Sequence, residues 1–176
     1  WLVTTLLKIA KVDAGAMHVE QREVRAAEVA RRAVAPLATA MDLRDVNLVL
    51  ELDETATFQG DAPWTAEAVE NIAKNCMEHT PPGGTVTVSV REDALATTIA
   101  VSDTGPGIAP EDLPHIFERF YRGRGGEGPD VAQPAGFGIG LSLAQALVSA
   151  QGGTLRASNN PAGGARFEIA FPKLVV

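Results

Sequence analysis

"EAVENIAKNCMEHTPPGG", residues 67–84, decides how this chain is read. It has the pattern of a helix running into a Pro-Gly turn, and it carries two asparagines, Asn71 and Asn75, four residues apart. Asparagine is a poor residue for a helix interior because its amide competes for backbone hydrogen bonds. At about 100° per residue the two side chains lie about 40° apart and point the same way. Their carbonyl oxygens are hard, neutral ligands of the kind magnesium accepts beside phosphate oxygens. Taken alone, such a pair is more often one solvated amide and one packing amide.

Around this helix, the sequence alternates strands and helices. Leu2, Leu6 and Ile9 lie at helical spacing, and "DAG" at 13–15 ends that helix. "VEQREV" reads as a strand, Ala26 to Met41 as a helix containing Pro36, and "VNLVLELD" (46–53) as a half-buried strand. "TATFQGD" adds a short strand, and Asp61 with Pro63 marks the start of the asparagine helix. "TVTVSVRED" and "ATTIAVSD" alternate strongly and form a hairpin closed near Asp93-Ala94. "APEDLPHIFERF" (109–120) predicts a short helix with Phe117 and Phe120 in the core. "YRGRGGEGPDVAQPAG" (121–136) holds seven glycines and prolines in 16 residues and predicts a mobile loop. A last helix over 137–153 and two strands, "TLRASNN" and "GARFEIAFP", complete the chain. The mixture predicts an α/β two-layer sandwich, with one mixed, mostly antiparallel sheet and helices on one face.

Composition narrows the chemistry. The 176 residues are 45% hydrophobic and 21% charged, with a net charge of −7. That charge argues against a general nucleic-acid surface or a polybasic membrane patch. Cys76 is the only cysteine, so neither a disulfide framework nor a thiolate metal cluster is available. No apolar run approaches the roughly 20 residues of a membrane span. The chain opens on Trp1 and reads as a piece of something longer.

Two further stretches carry chemistry. In "SDTGPGIAP" (102–110) a strand ends at Asp103 and turns through Gly105 and Gly107. A strand-end carboxylate over a glycine floor suits an exocyclic amine such as that of adenine, while an Asx-turn followed by Pro-Gly accounts for the same residues. In "GFGIGLSLA" (136–144), Gly136, Gly138 and Gly140 lie where a loop becomes a helix, so free amides and the helix dipole favour an anion. The spacing is GxGxG, not the GxGxxG of dinucleotide-binding folds, and a glycine hinge is the plainer alternative.

The order of these stretches resembles the N, G1, F and G2 boxes of sensor histidine kinases, whose ATP-binding fold (the Bergerat fold) is shared with type II topoisomerases, MutL-like proteins and heat-shock chaperones. The resemblance covers nearly the whole chain. "LLKIAKVDAG" resembles the end of the dimerisation and phosphoacceptor helix, giving expected units at 1–17 and 18–176, with an ATP lid at about 121–137. The resemblance implies that Asn75 holds Mg²⁺ and that Asn71 supports it or touches the phosphates. It implies that Asp103 reads adenine over Gly105 and Gly107, with His79 at a position where an aromatic ring is usual. Tyr121 and Arg122 would contact ribose and phosphate. Gly136, Gly138, Ile139, Gly140 and Leu141 would receive the phosphates.

The family's ATP-hydrolysing members place a water-activating Glu where Asn71 stands, and Glu70 points about 100° away. A site lacking that carboxylate suits phosphoryl transfer to a nucleophile from another domain, and Asn71 and Arg122 are the expected catalytic residues. None of His18, His79 and His115 is followed by the Glu and Pro expected after a phosphoacceptor, so the acceptor is expected upstream of Trp1. Glu78 departs from the basic residue usual at its position, so that contact is either lost or taken over by Arg119, Arg122 or Arg124. The expected partners are ATP, the chain's own acceptor domain, a homodimer partner and a response regulator. The expected location is the cytoplasmic part of an inner-membrane-anchored bacterial sensor. Alternatives are an anti-sigma-type serine kinase, or a regulatory nucleotide-binding module without transfer activity.

Overall fold

A computed structural model describes residues 1–123 and 138–173. Helix α1 (Leu2–Asp13) leads by an extended segment into β1 (Arg22–Arg25) and α2 (Ala26–Val34). The helix expected over 26–41 is broken at Pro36: a single 3-10 turn (Ala35–Leu37) separates α2 from α3 (Ala38–Leu43). Pro36 has no N–H to donate, and its ring crowds the preceding turn.

Next come β2 (Asn47–Leu52), β3 (Thr57–Gly60) and the long α4 (Ala62–His79). The Asp61 side chain caps α4 by accepting from Trp64 N–H at 3.1 Å, and a proline follows inside the first turn. Hairpin strands β4 (Thr85–Glu92) and β5 (Ala96–Asp103) come next. The Asp93 carboxylate closes that hairpin by accepting from Leu95 and Ala96 N–H. Helix α5 (Gly140–Ser149) and strands β6 (Thr154–Asn159) and β7 (Ala165–Pro172) finish the described fold.

The main sheet runs β2-β4-β5-β7-β6; only the β2–β4 pair is parallel. Strands β1 and β3 form a separate antiparallel ribbon. Val88, Val101 and Phe167 stand in one row across three strands, and Val90, Ile99 and Ile169 in the next. All six are buried against the helices, while Thr87, Ser102 and Arg166 lie on the other face. The helices bring Val69, Ile72, Leu143 and Leu147 to this core. Each such side chain contributes about 1.5–3 kcal/mol by leaving water.

Three further expectations need correction. Strand β2 does not alternate between buried and exposed residues; Val49 and Leu50 are both exposed, because β2 is the sheet's edge. Residues 109–120 form successive tight turns instead of a helix, with Asp112 N–H bonded to Ala109 O, His115 N–H to Asp112 O and Glu118 N–H to His115 O. Pro114 has no N–H with which to continue the helical hydrogen-bond pattern there. Phe117 packs edge-on against Phe167, but Phe120 is 57% exposed.

Candidate nucleotide site

Asp103 ends the inner strand β5 opposite Val86, so its side chain lies on the core face beneath α4. It is 4% exposed, and its Oδ1 accepts from the N–H groups of Gly105 and Ala165, each at 3.0 Å. Those two bonds hold the carboxylate in one orientation. Burial, followed by the nearby Asp103 charge, pushes the Cys76 thiol well above its ordinary range, so the thiol remains protonated beside the carboxylate.

The glycines here are sterically required. A Cβ on Gly105 would come within 2.5 Å of His79 O, so the turn can approach the end of α4 only without a side chain. Gly107 has φ +79° and lies against Asn159. The Asn159 side chain clamps the turn, accepting from Ile108 N–H and donating to Ile108 O, both at 2.7 Å. Gly164, at φ +90°, would place a Cβ 1.8 Å from Asp103 O. Asn159 and Gly164 are additions to the expected site residues. Their signal is the "NNPAGG" stretch between the last two strands, which on sequence alone reads only as a connection.

On α4, Asn71 Nδ2 donates back to Glu67 O at 3.0 Å. Its Oδ1 lies 3.5 Å from where a Cβ on Gly140 would stand, so this amide oxygen faces the start of α5. Half-buried Asn75 makes no side-chain hydrogen bond among the described residues, while its backbone O takes His79 Nδ1 at 2.8 Å. The His79 ring is thereby turned back onto its own helix. Burial raises the Glu78 carboxyl above its usual range, and the charges of Lys74, His79 and Arg44 oppose the shift.

The other wall is the start of α5. Ile139 is fully buried and provides no side-chain cap; its carbonyl takes Leu143 N–H at 2.9 Å. The Gly140, Leu141 and Ser142 amides therefore begin the helix without intrahelical acceptors, as suits an anion. Half-buried Leu141 packs against the core. Gly138, at φ +74°, crosses the backbone of Phe120 and Tyr121, and its O accepts from Phe120 N–H at 2.9 Å. Tyr121 directs its hydroxyl to Asp112 Oδ1 at 2.5 Å, and Arg122 is exposed. Gly136 and Arg124 lie outside the described residues, as does most of the loop expected at 121–137. Arg119 is paired with Asp13 of α1.

Asn75 offers an unengaged amide whose oxygen is of the kind a hydrated divalent cation accepts. No described helix is long and apolar enough to cross a membrane.

Residues 60–175 match the family described as histidine kinase-, DNA gyrase B-, and HSP90-like ATPase. The chain is 32% identical over 173 residues to the sensor protein DivL of Caulobacter vibrioides, covering 97% of this chain and 21% of that protein. It is 28% identical over 177 residues to the sensor-like histidine kinase SenX3 of Mycobacterium tuberculosis, covering 99% of this chain and 42% of that protein. Among solved structures, the mycobacterial sensor histidine kinase MprB superposes with a TM-score of 0.71 at 28% identity, over 86% of this chain and 97% of that one. The chain thus spans less than half the length of these two curated relatives.

Proposed function

We propose a function from one premise: the chain belongs to the histidine kinase-, DNA gyrase B- and HSP90-like ATPase family, as the catalytic ATP-binding domain of a sensor histidine kinase. In this reading it binds Mg·ATP and passes the γ-phosphoryl group to a histidine on another domain of the longer protein. One observation carries it: a buried carboxylate is fixed in orientation by two backbone amides at the end of β5, while the Asn71 amide oxygen of α4 faces the uncapped, glycine-opened start of α5.

Asp103 accepts the adenine amine, and Gly105 and Gly107 let the flat base approach the backbone. Asn75 holds the magnesium ion, which when bound neutralises phosphate charge. Asn71, Arg122 and the amides of residues 138–141 hold the phosphate oxygens. As a histidine nitrogen attacks the γ-phosphorus, the bond to the bridging oxygen breaks and ADP leaves with that electron pair. In this reading Asn71 stands where the ATP-hydrolysing relatives carry a water-activating Glu, so transfer depends on positioning and charge neutralisation.

The full protein in this reading is a homodimer that hands the phosphoryl group to a response regulator, with this part cytoplasmic and the parent anchored in the inner membrane. The test mixes the chain with labelled Mg·ATP and the separately purified acceptor domain of the same protein. Acid-labile labelling of the acceptor is expected. Acid-stable label would point to a serine kinase, and tight ATP binding without any labelling would point to a regulatory module.

A further inference from the structure

Asp112 is only 6% exposed, yet it lies in a surface turn outside the residues expected to meet nucleotide. A buried carboxylate is costly unless it is hydrogen-bonded. Its Oδ1 accepts from the Tyr121 hydroxyl at 2.5 Å, and a Cβ on Gly123 would come within 2.9 Å of its Oδ2. The chain at both Tyr121 and Gly123 is thus drawn against one carboxylate. His115, bonded to Glu118 at 2.8 Å, covers the Tyr121 ring with centroids 5.3 Å apart.

One residue earlier, Phe120 has φ +63°, a conformation that a bulky side chain adopts only when its surroundings enforce it. Its N–H bonds to Gly138 O, and Gly138 fits against this backbone only because it lacks a side chain. Gly138 in turn leads through buried Ile139 to the open amides of α5. Position is therefore handed from Asp112 to Tyr121, across the Phe120–Gly138 bond, to the phosphate-facing start of α5.

We propose that Asp112 is a positioning residue: by holding the Tyr121 hydroxyl it sets the Phe120–Gly138 crossing, and so the affinity for the phosphate half of the nucleotide, without touching the nucleotide. The inference rests on the ATP-binding reading above. It also fixes a sign. A carboxylate acting on the phosphates only through its charge would weaken binding, so its removal would help; a positioning carboxylate does the reverse.

The test is calorimetric titration of the wild-type chain, Asp112→Asn, Tyr121→Phe and the double variant, each with Mg·ATP and with adenosine. Each single variant should bind Mg·ATP about fivefold more weakly, and the double variant no more weakly than the singles. Adenosine affinity should change less than about twofold for Asp112→Asn, which keeps the Tyr121 hydroxyl. Tyr121→Phe removes one oxygen and keeps the ring, so it decides the matter if Asp112→Asn does not fold. Additive losses, equal losses for adenosine, or a gain in Mg·ATP affinity for Asp112→Asn would each overturn the inference alone. A wild-type chain that takes up no Mg·ATP would take the underlying nucleotide reading down with it.

Discussion

The two ends of the candidate site are built differently. The base end is made of strand ends: Asp103 closes an inner strand, two backbone amides hold its carboxylate, and Asn159 and Gly164 reach in from the β6–β7 connection. The phosphate end is made where chain segments cross outside the sheet: an exposed Phe120 at positive φ, a glycine pressed against it, and a helix start with open amides. The first is held by hydrogen bonds between strand ends, the second by the Phe120–Gly138 crossing beside the buried Ile139. In the proposed reading, base selectivity rests on these strand ends and phosphate affinity on the Phe120–Gly138 crossing.

Glycine substitutions probe this difference most severely. Gly164→Ala drives a Cβ to 1.8 Å from Asp103 O at φ +90°, so it should cost more than about 3 kcal/mol of folding stability, read by urea denaturation. Gly138→Ala meets Tyr121 O at 2.8 Å, where an outer segment can shift, and should cost about 1–2 kcal/mol. Equal costs would mean that the phosphate end is as rigid as the base end.

Asp103→Asn comes next. The amide oxygen stays with the two backbone N–H groups and an NH2 donor replaces the second carboxylate oxygen, so in the proposed reading selectivity for ATP over GTP should fall about 10–100-fold, with magnesium dependence retained. Competition binding with the two nucleotides measures both. Asn159→Ala unclamps the Gly105–Ile108 turn and should weaken adenosine and Mg·ATP alike, by about fivefold. A loss confined to Mg·ATP would assign Asn159 to the phosphate end.

The smallest effect concerns pH. Burial raises the Glu78 carboxyl, so the folded state binds its proton more tightly than the unfolded state does. Glu78 therefore lowers stability above its raised pKa, and the deficit fades as pH falls through that value toward the ordinary carboxylate range. Glu78→Gln should raise the melting temperature slightly at pH 7 and leave it unchanged at pH 3. A drop at pH 7 would show that the charge stabilises through Lys74, His79 or Arg44.

How much of this was legible in the sequence varies along the chain. The sandwich, the β4–β5 hairpin and the bounds of α4 follow from local signals: strict alternation, an Asp93 turn, and an Asp61 cap with Pro63. The asparagine pair and Asp103 were visible because each residue type is unusual where it stands. The exposure of β2 was hidden, since edge position depends on which strands pair at long range. The turns at 109–120 are hidden because Pro110 and the acids after it have the pattern of a helix start. The roles of Asn159, Gly164 and Asp112 were invisible for the same reason as β2. Each acts on a partner that folding brings close: 51 residues away for Asn159, and 9 for Asp112.

The most direct test of the central claim is calorimetric titration of the intact chain with Mg·ATP and, separately, Mg·GTP. Saturable uptake of one Mg·ATP per chain, with Mg·GTP bound far more weakly, is the expected result. No heat of binding, or equal affinity for the two, would contradict the assignment of Asp103 and the site built around it.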